Sequence, residues 1–153
     1  MVEDQYQFIL HHRLMQHEID VDIAVIVVTE TQARFPTLSS CSFDQGFHST
    51  ANQRDLAKLL DTVILPKKGR LSKAQQARQQ ADEFVAGQRQ PAATESAIHA
   101  LEVHGLDRCP DRGLPALRRY VALAVVARNI QLLGRYLQCK DQQVESEPYR
   151  KAA

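Results

Sequence analysis

The sequence predicts an α/β domain that ends in helices, and three observations support this. Short stretches rich in β-branched and aromatic residues alternate with stretches of helical spacing. The last third of the chain shows only helical patterns. The chain has 153 residues, of which 44% are hydrophobic and 24% charged, as expected for one globular domain with its own core. Residues 1–139 should form this domain, and residues 140–153 a polar tail.

The first half of the chain contains the clearest alternation. Residues 5–15 suit a partly buried strand. Residues 22–35 have apolar positions at helical spacing and stop before Pro36, which favours a helix, although their β-branched side chains would also suit a strand. Residues 40–47 form a short strand that ends in a turn, with Asp44 at the end of the strand.

The second half begins with a strand and continues as helices. Thr50 and Gln53 form a capping box that opens a helix, and a buried strand over residues 62–65 then stops at Pro66. Ser72 and Gln75 form a second capping box. Helices are expected over residues 72–85, with a break at 87–91, over residues 94–104, and from residue 115 onward.

Composition limits the classes of partner. A net charge of +1 gives no overall positive field, so any contact with DNA must come from local basic patches. The 3 cysteines lie at wide spacings, which fits a reducing cytoplasm and no structural zinc site. The longest apolar runs are too short to span a bilayer, and no leader pattern opens the chain. A soluble cytoplasmic protein without a membrane partner is expected.

Two carboxylates are candidates for chemistry. Asp44 at a strand end and Glu95 on a later helix supply half of a site that holds two divalent ions and transfers phosphoryl groups. Carboxylate oxygens suit Mg²⁺ or Mn²⁺. Taken alone, an Asp before Gln-Gly is more often a turn residue.

Other polar residues accompany these two acids. His99 and Glu102 share a helix face with Glu95, either as a solvated pair or, if the helices formed a bundle, as ligands of a di-metal centre. A basic turn that follows the strand at 62–65 could hold a DNA phosphate or could be an ordinary solvated loop; its cations are Lys67, Lys68 and Arg70.

Several blocks of the sequence resemble insertion-sequence transposases of the ISNCY type. Residues 42–49 read Ser-Phe-Asp-Gln-Gly-Phe-His-Ser, and residues 95–109 begin Glu-Ser-Ala-Ile-His-Ala-Leu-Glu. The remaining blocks lie at residues 8–12, 63–69 and 119–129, so the resemblance runs from about Glu3 to Leu137. It implies a partial RNase H-like core of the DDE type, with a helical C-terminal end.

The resemblance also implies roles for particular residues. Asp44 matches the second catalytic and metal-binding acid of the family, and Glu95 the third. The first acid and the N-terminal DNA-binding region would lie upstream of Met1. Related families place an Arg shortly before the glutamate and a Lys seven residues after it; here the nearest Arg is Arg89, and that later position holds Glu102. Arg89, His99 and Glu102 are therefore accessory candidates only.

The function expected from this resemblance is metal-dependent cleavage and joining of DNA strands in an intact transposase. The present chain, lacking the first acid, is expected to be a truncated C-terminal fragment that is inactive alone, and whether it is an enzyme stays open. Its partners would be transposon-end DNA, an intact transposase or a second copy, in the cytoplasm near the nucleoid. The alternative is a non-catalytic fragment that binds DNA or transposase and modulates transposition.

Overall fold

The computed structural model describes residues 1–67, 69–88, 99, 101–106, 108–110 and 112–146. The chain divides into two compact units, Met1–Ile98 and His99–Ala153. The N-terminal unit contains β1 (Val2–Glu3), β2 (Ile9–His11), α1 (Asp20–Gln32), β3 (Ser40–Ser42), a 3₁₀ turn (Gln45–Phe47), α2 (Thr50–Leu59), β4 (Thr62–Ile64), α3 (Lys73–Gln79) and α4 (Asp82–Gln88). The C-terminal unit contains a π-helical turn (Glu102–Leu106) and α5 (Leu114–Ser146).

The strands form two separate pairs. β1 and β2 are antiparallel, while β3 and β4 are parallel, with Ser40 opposite Thr62 and Ser42 opposite Ile64. Helix α2 connects the two parallel strands, because neighbouring parallel strands cannot be joined by a tight turn. The strand–helix–strand unit predicted over residues 40–65 is therefore confirmed.

One face of the parallel pair forms the main core. Phe43, Val63 and Leu65 pack against Ala24 and Val28 of α1. They also pack against Leu56 of α2 and Leu60, the residue that follows α2. Side chains alternate along a strand, so Ser42 and Ile64 belong to the opposite face. The sheet is thus covered by α1 and α2 on one side.

Helix α1 resolves the ambiguity of the β-branched segment. The stretch is helical from Asp20 to Gln32, as the apolar spacing predicts. Asp20 and Asp22 lie in the first turn, where negative charge is favourable to the helix dipole. The helix ends four residues before Pro36, which cannot continue it.

The caps of the later helices agree with the sequence in part. Ser72 and Gln75 form the predicted reciprocal box: Ser72 N donates to Gln75 Oε1 at 3.0 Å, and Gln75 N to Ser72 Oγ at 3.3 Å. The first predicted box, Thr50 with Gln53, is replaced by a single cap, since Ser49 Oγ and not Thr50 accepts from Asn52 N. Ser49 has the extended backbone that a capping residue needs, whereas Thr50 is already helical.

The single helix predicted over residues 72–85 is divided into α3 and α4, and Gly87 lies within α4 instead of breaking it. Phe84 is buried and anchors α4, whereas α3 has no comparable apolar side chain, and the predicted helix is therefore divided between the two segments.

The two described elements of the C-terminal unit are both helical. α5 begins one residue before Pro115, which is tolerated in a first turn, and continues to Ser146. Residues 140–146 of the predicted polar tail are thus part of α5, and 147–153 lie outside the described residues. Most of the helix predicted over 94–104 also lies outside them. Residues buried on the inner side of α5, close to the π-helical turn, include Ala116, Val121, Ala124 and Val125.

The chain is therefore a mixed α/β protein with a helical C-terminal unit, as predicted. No helix in the described ranges is sufficiently long and apolar to cross a membrane.

Candidate functional site

The carboxyl ends of β3 and β4 form one edge, which brings two of the sequence-predicted features together. Asp44 lies two residues after the end of β3, and Lys67 lies three residues after the end of β4. The ladder continues into this edge, because Phe43 N donates to Ile64 O at 2.9 Å. We call the region formed by residues 43–47 and 65–67 the carboxyl edge. Ligands of α/β proteins commonly bind at such an edge.

The two carboxylate oxygens of Asp44 differ: one caps the turn, and the other is available to a ligand. Its Oδ1 accepts a hydrogen bond from Gln45 N at 2.7 Å and so caps the 3₁₀ turn. The side chain is exposed, and within the described part of the chain its Oδ2 has no hydrogen-bond partner. The interpretation of Asp44 as a turn residue is therefore confirmed. It leaves one carboxylate oxygen available to a ligand.

The loop that carries Asp44 is fixed by Asn52, a residue that the sequence reasoning did not single out. Asn52 is 8% exposed, and its Nδ2 donates to Val21 O at 2.7 Å and to Phe47 O at 2.9 Å. One buried amide thus ties the 3₁₀ turn to the start of α1 and to α2. The available signal was its spacing, since Asn52 precedes Leu56 and Leu60 by four and eight residues on the buried face of α2.

A second fixed contact lies between Gly46 and Asp20. A Cβ added to Gly46 would lie 2.8 Å from Asp20 Oδ2, closer than two such atoms can approach. The turn therefore packs directly onto the first residue of α1. Phe43, which precedes the turn, packs on Phe47, its last residue, with ring centroids 5.8 Å apart. Backbone and side-chain contacts together hold the position of residues 44–47.

The basic turn that follows β4 is partly engaged. Lys67 Nζ donates to Gln75 Oε1 at 3.0 Å, the same oxygen that accepts from Ser72 N. An ammonium group has three donors, so this bond leaves two directions for another acceptor. Arg70 is exposed, and Lys68 lies outside the described residues. Lys67 therefore supplies positive charge at the edge that carries Asp44, and Arg70 follows it three residues later along the chain.

Helix α4 ends on the same edge. Ser42 Oγ donates to Gly87 O at 2.8 Å, and a Cβ on Gly87 would lie only 2.7 Å from Ile64 Cγ1. Both contacts involve the last residue of a parallel strand. The chain thus leaves α4 at the carboxyl edge and continues into the segment that contains Arg89 and Glu95. These two predicted site residues lie outside the described residues, so the separation of Asp44 and Glu95 is not described.

The remaining predicted candidates form a surface pair. His99 Nδ1 and Glu102 Oε2 are 3.6 Å apart, and their side chains are 78% and 53% exposed. Exposed ion pairs of this type contribute little to stability. The geometry is that of the solvated pair, with both residues in the C-terminal unit.

A second polar cluster lies away from the edge, between β2 and α1. Glu30 accepts from Arg13 Nη1 at 2.8 Å and is 3.0 Å from His11 Nε2, while Arg13 Nη2 donates to Glu18 at 3.0 Å. Burial, only partly offset by the bond to Glu30, lowers the pKa of His11. Hydrogen bonds, first from Gln16 N and then from Arg13, lower the pKa of Glu18 to about 2. This cluster attaches the hairpin to α1.

The donor chemistry of the edge fits a divalent cation, because Asp44 offers an exposed carboxylate oxygen of the kind that Mg²⁺ prefers. In the described ranges, no three His, Cys, Asp or Glu side chains come together as a metal-binding group. A pair of ions would need at least one further acid, and Glu95 is the candidate that the sequence supplies. No family model, no curated protein and no solved structure matches the chain.

Proposed function

We propose that the chain is the C-terminal part of a DDE-type transposase catalytic domain. Asp44 and Glu95 would be two of its metal-binding acids, with Mg²⁺ or Mn²⁺ as the cofactor. The observation that carries the proposal is the position of Asp44 at the carboxyl edge, where α4 also ends and the chain continues toward Glu95. The order of these features agrees with the resemblance of residues 42–49 and 95–109.

The residues of the edge suggest a division of roles. Asp44 would hold a divalent ion through Oδ2 while Oδ1 keeps the turn capped. Asn52 and Gly46 would position Asp44, since they fix the loop on α1. Lys67 and Arg70 would orient a DNA phosphate beside the edge, because phosphate contacts by basic side chains position a nucleic acid without reading its sequence. The ions themselves would stabilise the attacking and leaving oxygens of a phosphodiester.

A non-catalytic role in binding DNA or transposase is the second candidate. The partly engaged Lys67 and the exposed Arg70 favour it, since they supply local charge on a chain whose net charge is only +1. Such a protein would bind DNA with a strong dependence on salt but would need no ion at Asp44.

The decisive experiment is Mn²⁺ titration followed by NMR. Bound Mn²⁺ broadens nearby amide signals, so we expect those of Gln45 and Gly46 to broaden first. Asp44→Asn should abolish this effect, and it should preserve the turn because an Asn side-chain oxygen can still accept from Gln45 N. Asp61→Asn is the matched control, since Asp61 is exposed but lies at the opposite end of β4.

A second variant tests the other acid. Glu95→Gln should weaken Mn²⁺ binding at Gln45 and Gly46 if the two acids share an ion pair, and it should leave the edge unbroadened at low Mn²⁺ concentrations. Equal broadening in wild type, Asp44→Asn and Asp61→Asn would contradict the proposal. DNA binding that persists without any Mn²⁺ effect at Asp44 would favour the non-catalytic candidate.

A further inference from the structure

Helix α5 carries a continuous apolar face on its outer side. Five apolar residues recur at alternating intervals of three and four: Leu123, Val126, Ile130, Leu133 and Leu137. Their exposed fractions are 67%, 53%, 64%, 47% and 48%. A repeat of seven residues keeps such side chains on one side of a helix and is the pattern by which two helices pack along each other. We call these five residues the α5 seam.

The seam is distinct from the face by which α5 packs within its own unit. The buried residues of α5 include Val121, Ala124 and Val125, which occupy other positions of the seven-residue repeat. The helix therefore has one apolar face in the core and a second one in solvent. A run of five large exposed apolar residues on one helix face is unusual for a monomer and indicates an interaction surface.

The residues beside the seam allow a close approach. Ala122, Ala127 and Gly134 flank it, and none of them carries a charge. Gly134 lies within the helix, where glycine costs about 1 kcal/mol relative to alanine. A Cβ at Gly134 would meet no atom within 4 Å, so packing among the described residues does not explain the glycine. A second helix that packs along the seam would explain the glycine at this position.

We propose that the α5 seam pairs with the seam of a second copy of this chain, with the two helices antiparallel. In a parallel pair Lys140, which occupies the next position of the repeat, would face its own copy and the like charges would repel. In an antiparallel pair centred on Ile130, the exposed Asp141 of one copy lies within one helical turn of the exposed Arg118 of the other. Lys140 then lies opposite the exposed Arg119, but the adjacent Asp141 offsets this repulsion, whereas a parallel pair places Arg118, Arg119 and Lys140 each against their own copies. The antiparallel arrangement is therefore the less repulsive of the two.

The area of the seam is sufficient for such a pair. The seam and the adjacent Tyr136, which is 57% exposed, present large side chains with about half of their surface in solvent. Burying them from both copies would remove roughly 1,000 to 1,200 Å² from water, the lower end of the range for specific interfaces. Pairing should therefore be reversible and depend on concentration. This inference does not depend on the proposed function.

Sedimentation velocity of the full chain between about 1 and 200 µM tests the pairing. We expect a monomer that converts to a dimer as the concentration rises. Ile130→Glu should weaken the dimer by at least tenfold, while the matched control Gln138→Glu, with the same added charge on the same helix but away from the seam, should not. Gly134→Gln introduces a better helix former and adds bulk beside the seam, so it should also weaken the dimer without loss of helicity.

Orientation is tested by spin labels on Cys139 in a Cys41→Ser/Cys109→Ser background. Backbone positions 139 in the two copies should lie roughly 27 Å apart along the axis of an antiparallel pair, but only about 10 Å apart in a parallel one. A wild type that stays monomeric throughout the range, or a dimer that Ile130→Glu leaves intact, would overturn the proposal. So would a short distance between the labels. A monomer in which Ile130→Glu shifts NMR signals of residues 1–88 would show that the N-terminal unit covers the seam instead.

Discussion

Ser42 and Gly87, which are separated by 44 intervening residues, are joined by a hydrogen bond of 2.8 Å from the Ser42 hydroxyl to the Gly87 carbonyl oxygen. The bond holds the last turn of α4 against the end of β3. Gly87 also lies on Ile64 at the end of β4, so its missing side chain is what allows the helix to approach both strands.

We expect Gly87→Ala to destabilise the N-terminal unit. The new Cβ would lie 2.7 Å from Ile64 Cγ1, and relieving such overpacking costs about 1 to 3 kcal/mol. The gain in helix propensity returns at most about 1 kcal/mol. Thermal unfolding followed by circular dichroism measures the net loss. At concentrations where the protein is monomeric, the control Gly134→Ala should stabilise its helix, because open space surrounds that position. Equal effects of the two variants would contradict the assigned contact.

Asn52→Leu should destabilise the protein, because it removes the amide group that ties the loop of Asp44 to α1 and α2. The substitution keeps the number and branching of the side-chain heavy atoms but removes the bonds from Asn52 Nδ2 to Val21 O and Phe47 O, and a buried group left unsatisfied costs about 1 to 3 kcal/mol. Urea unfolding measures the loss. Gln53→Ala, at the next position, should change the free energy of unfolding by less than about 0.5 kcal/mol. A tolerated Asn52→Leu would mean that the loop of Asp44 is held by other contacts.

Stability should decrease as the pH falls below about 6.5, the usual pKa of histidine. Burial lowers the pKa of His11 in the folded chain, so the unfolded chain binds protons first and is favoured by acid. Burial and the neighbouring His11 lower the pKa of His12 in the same direction. The stabilisation is present above pH 6.5 and is lost as the pH falls through the lower, folded-state value.

The matched variants are His11→Gln and His12→Gln, each measured by urea unfolding at pH 7.5, 6.5 and 5.5. His11→Gln still offers Glu30 a side-chain N–H donor but does not titrate, so it should reduce the pH dependence of stability. If neither variant changes the slope of stability against pH, the histidines are not its source.

Cys41 should react slowly with thiol reagents in the folded protein. Burial raises the pKa of its thiol to about 11, which leaves on the order of one thiolate in a thousand at pH 8. Unfolding in urea should increase the alkylation rate of Cys41 by roughly two orders of magnitude. Cys139 is exposed and serves as the internal reference in mass spectrometry. Similar rates for Cys41 in the folded and the unfolded chain would show that β3 opens readily.

Local patterns predicted most of the elements from β2 to β4, but the strand expected over residues 5–15 is limited to Ile9–His11, and its partner β1 was not predicted. The apolar spacing after Val21 predicted α1, and the flanking turns predicted β3, α2 and β4, because these signals act within a few residues. The division between α3 and α4 was missed, since it depends on the burial of Phe84 and on the contact of Gly87 with a distant strand. The sequence patterns do not indicate which helices contact one another or the sheet.

In the candidate site, too, local features could be predicted from the sequence and tertiary contacts could not. Asp44 could be identified from its motif and its place after a strand, and the adjacency of the basic turn follows from parallel pairing. Asn52 and Ser42 could not be assigned positioning roles, because their partners, Phe47, Val21 and Gly87, are set by tertiary packing. A polar residue on the buried face of a helix is a signal of such a role, although not of its partner.

The parallel pair of β3 and β4 has a consequence for the course of folding during synthesis. Its strands are joined by only α2 and two short loops, so the chain that must be closed to pair Ser42 with Ile64 is short, and such local pairing is fast relative to long-range contacts. Every described contact that fixes the loop of Asp44 is made by residues up to Gly87. Since chains fold from the N-terminus as they are made, the carboxyl edge can be assembled before α5 has left the ribosome. A pause in translation within α5, with the N-terminal unit already outside the exit tunnel, would then leave the edge formed while the helix that carries the seam has yet to emerge.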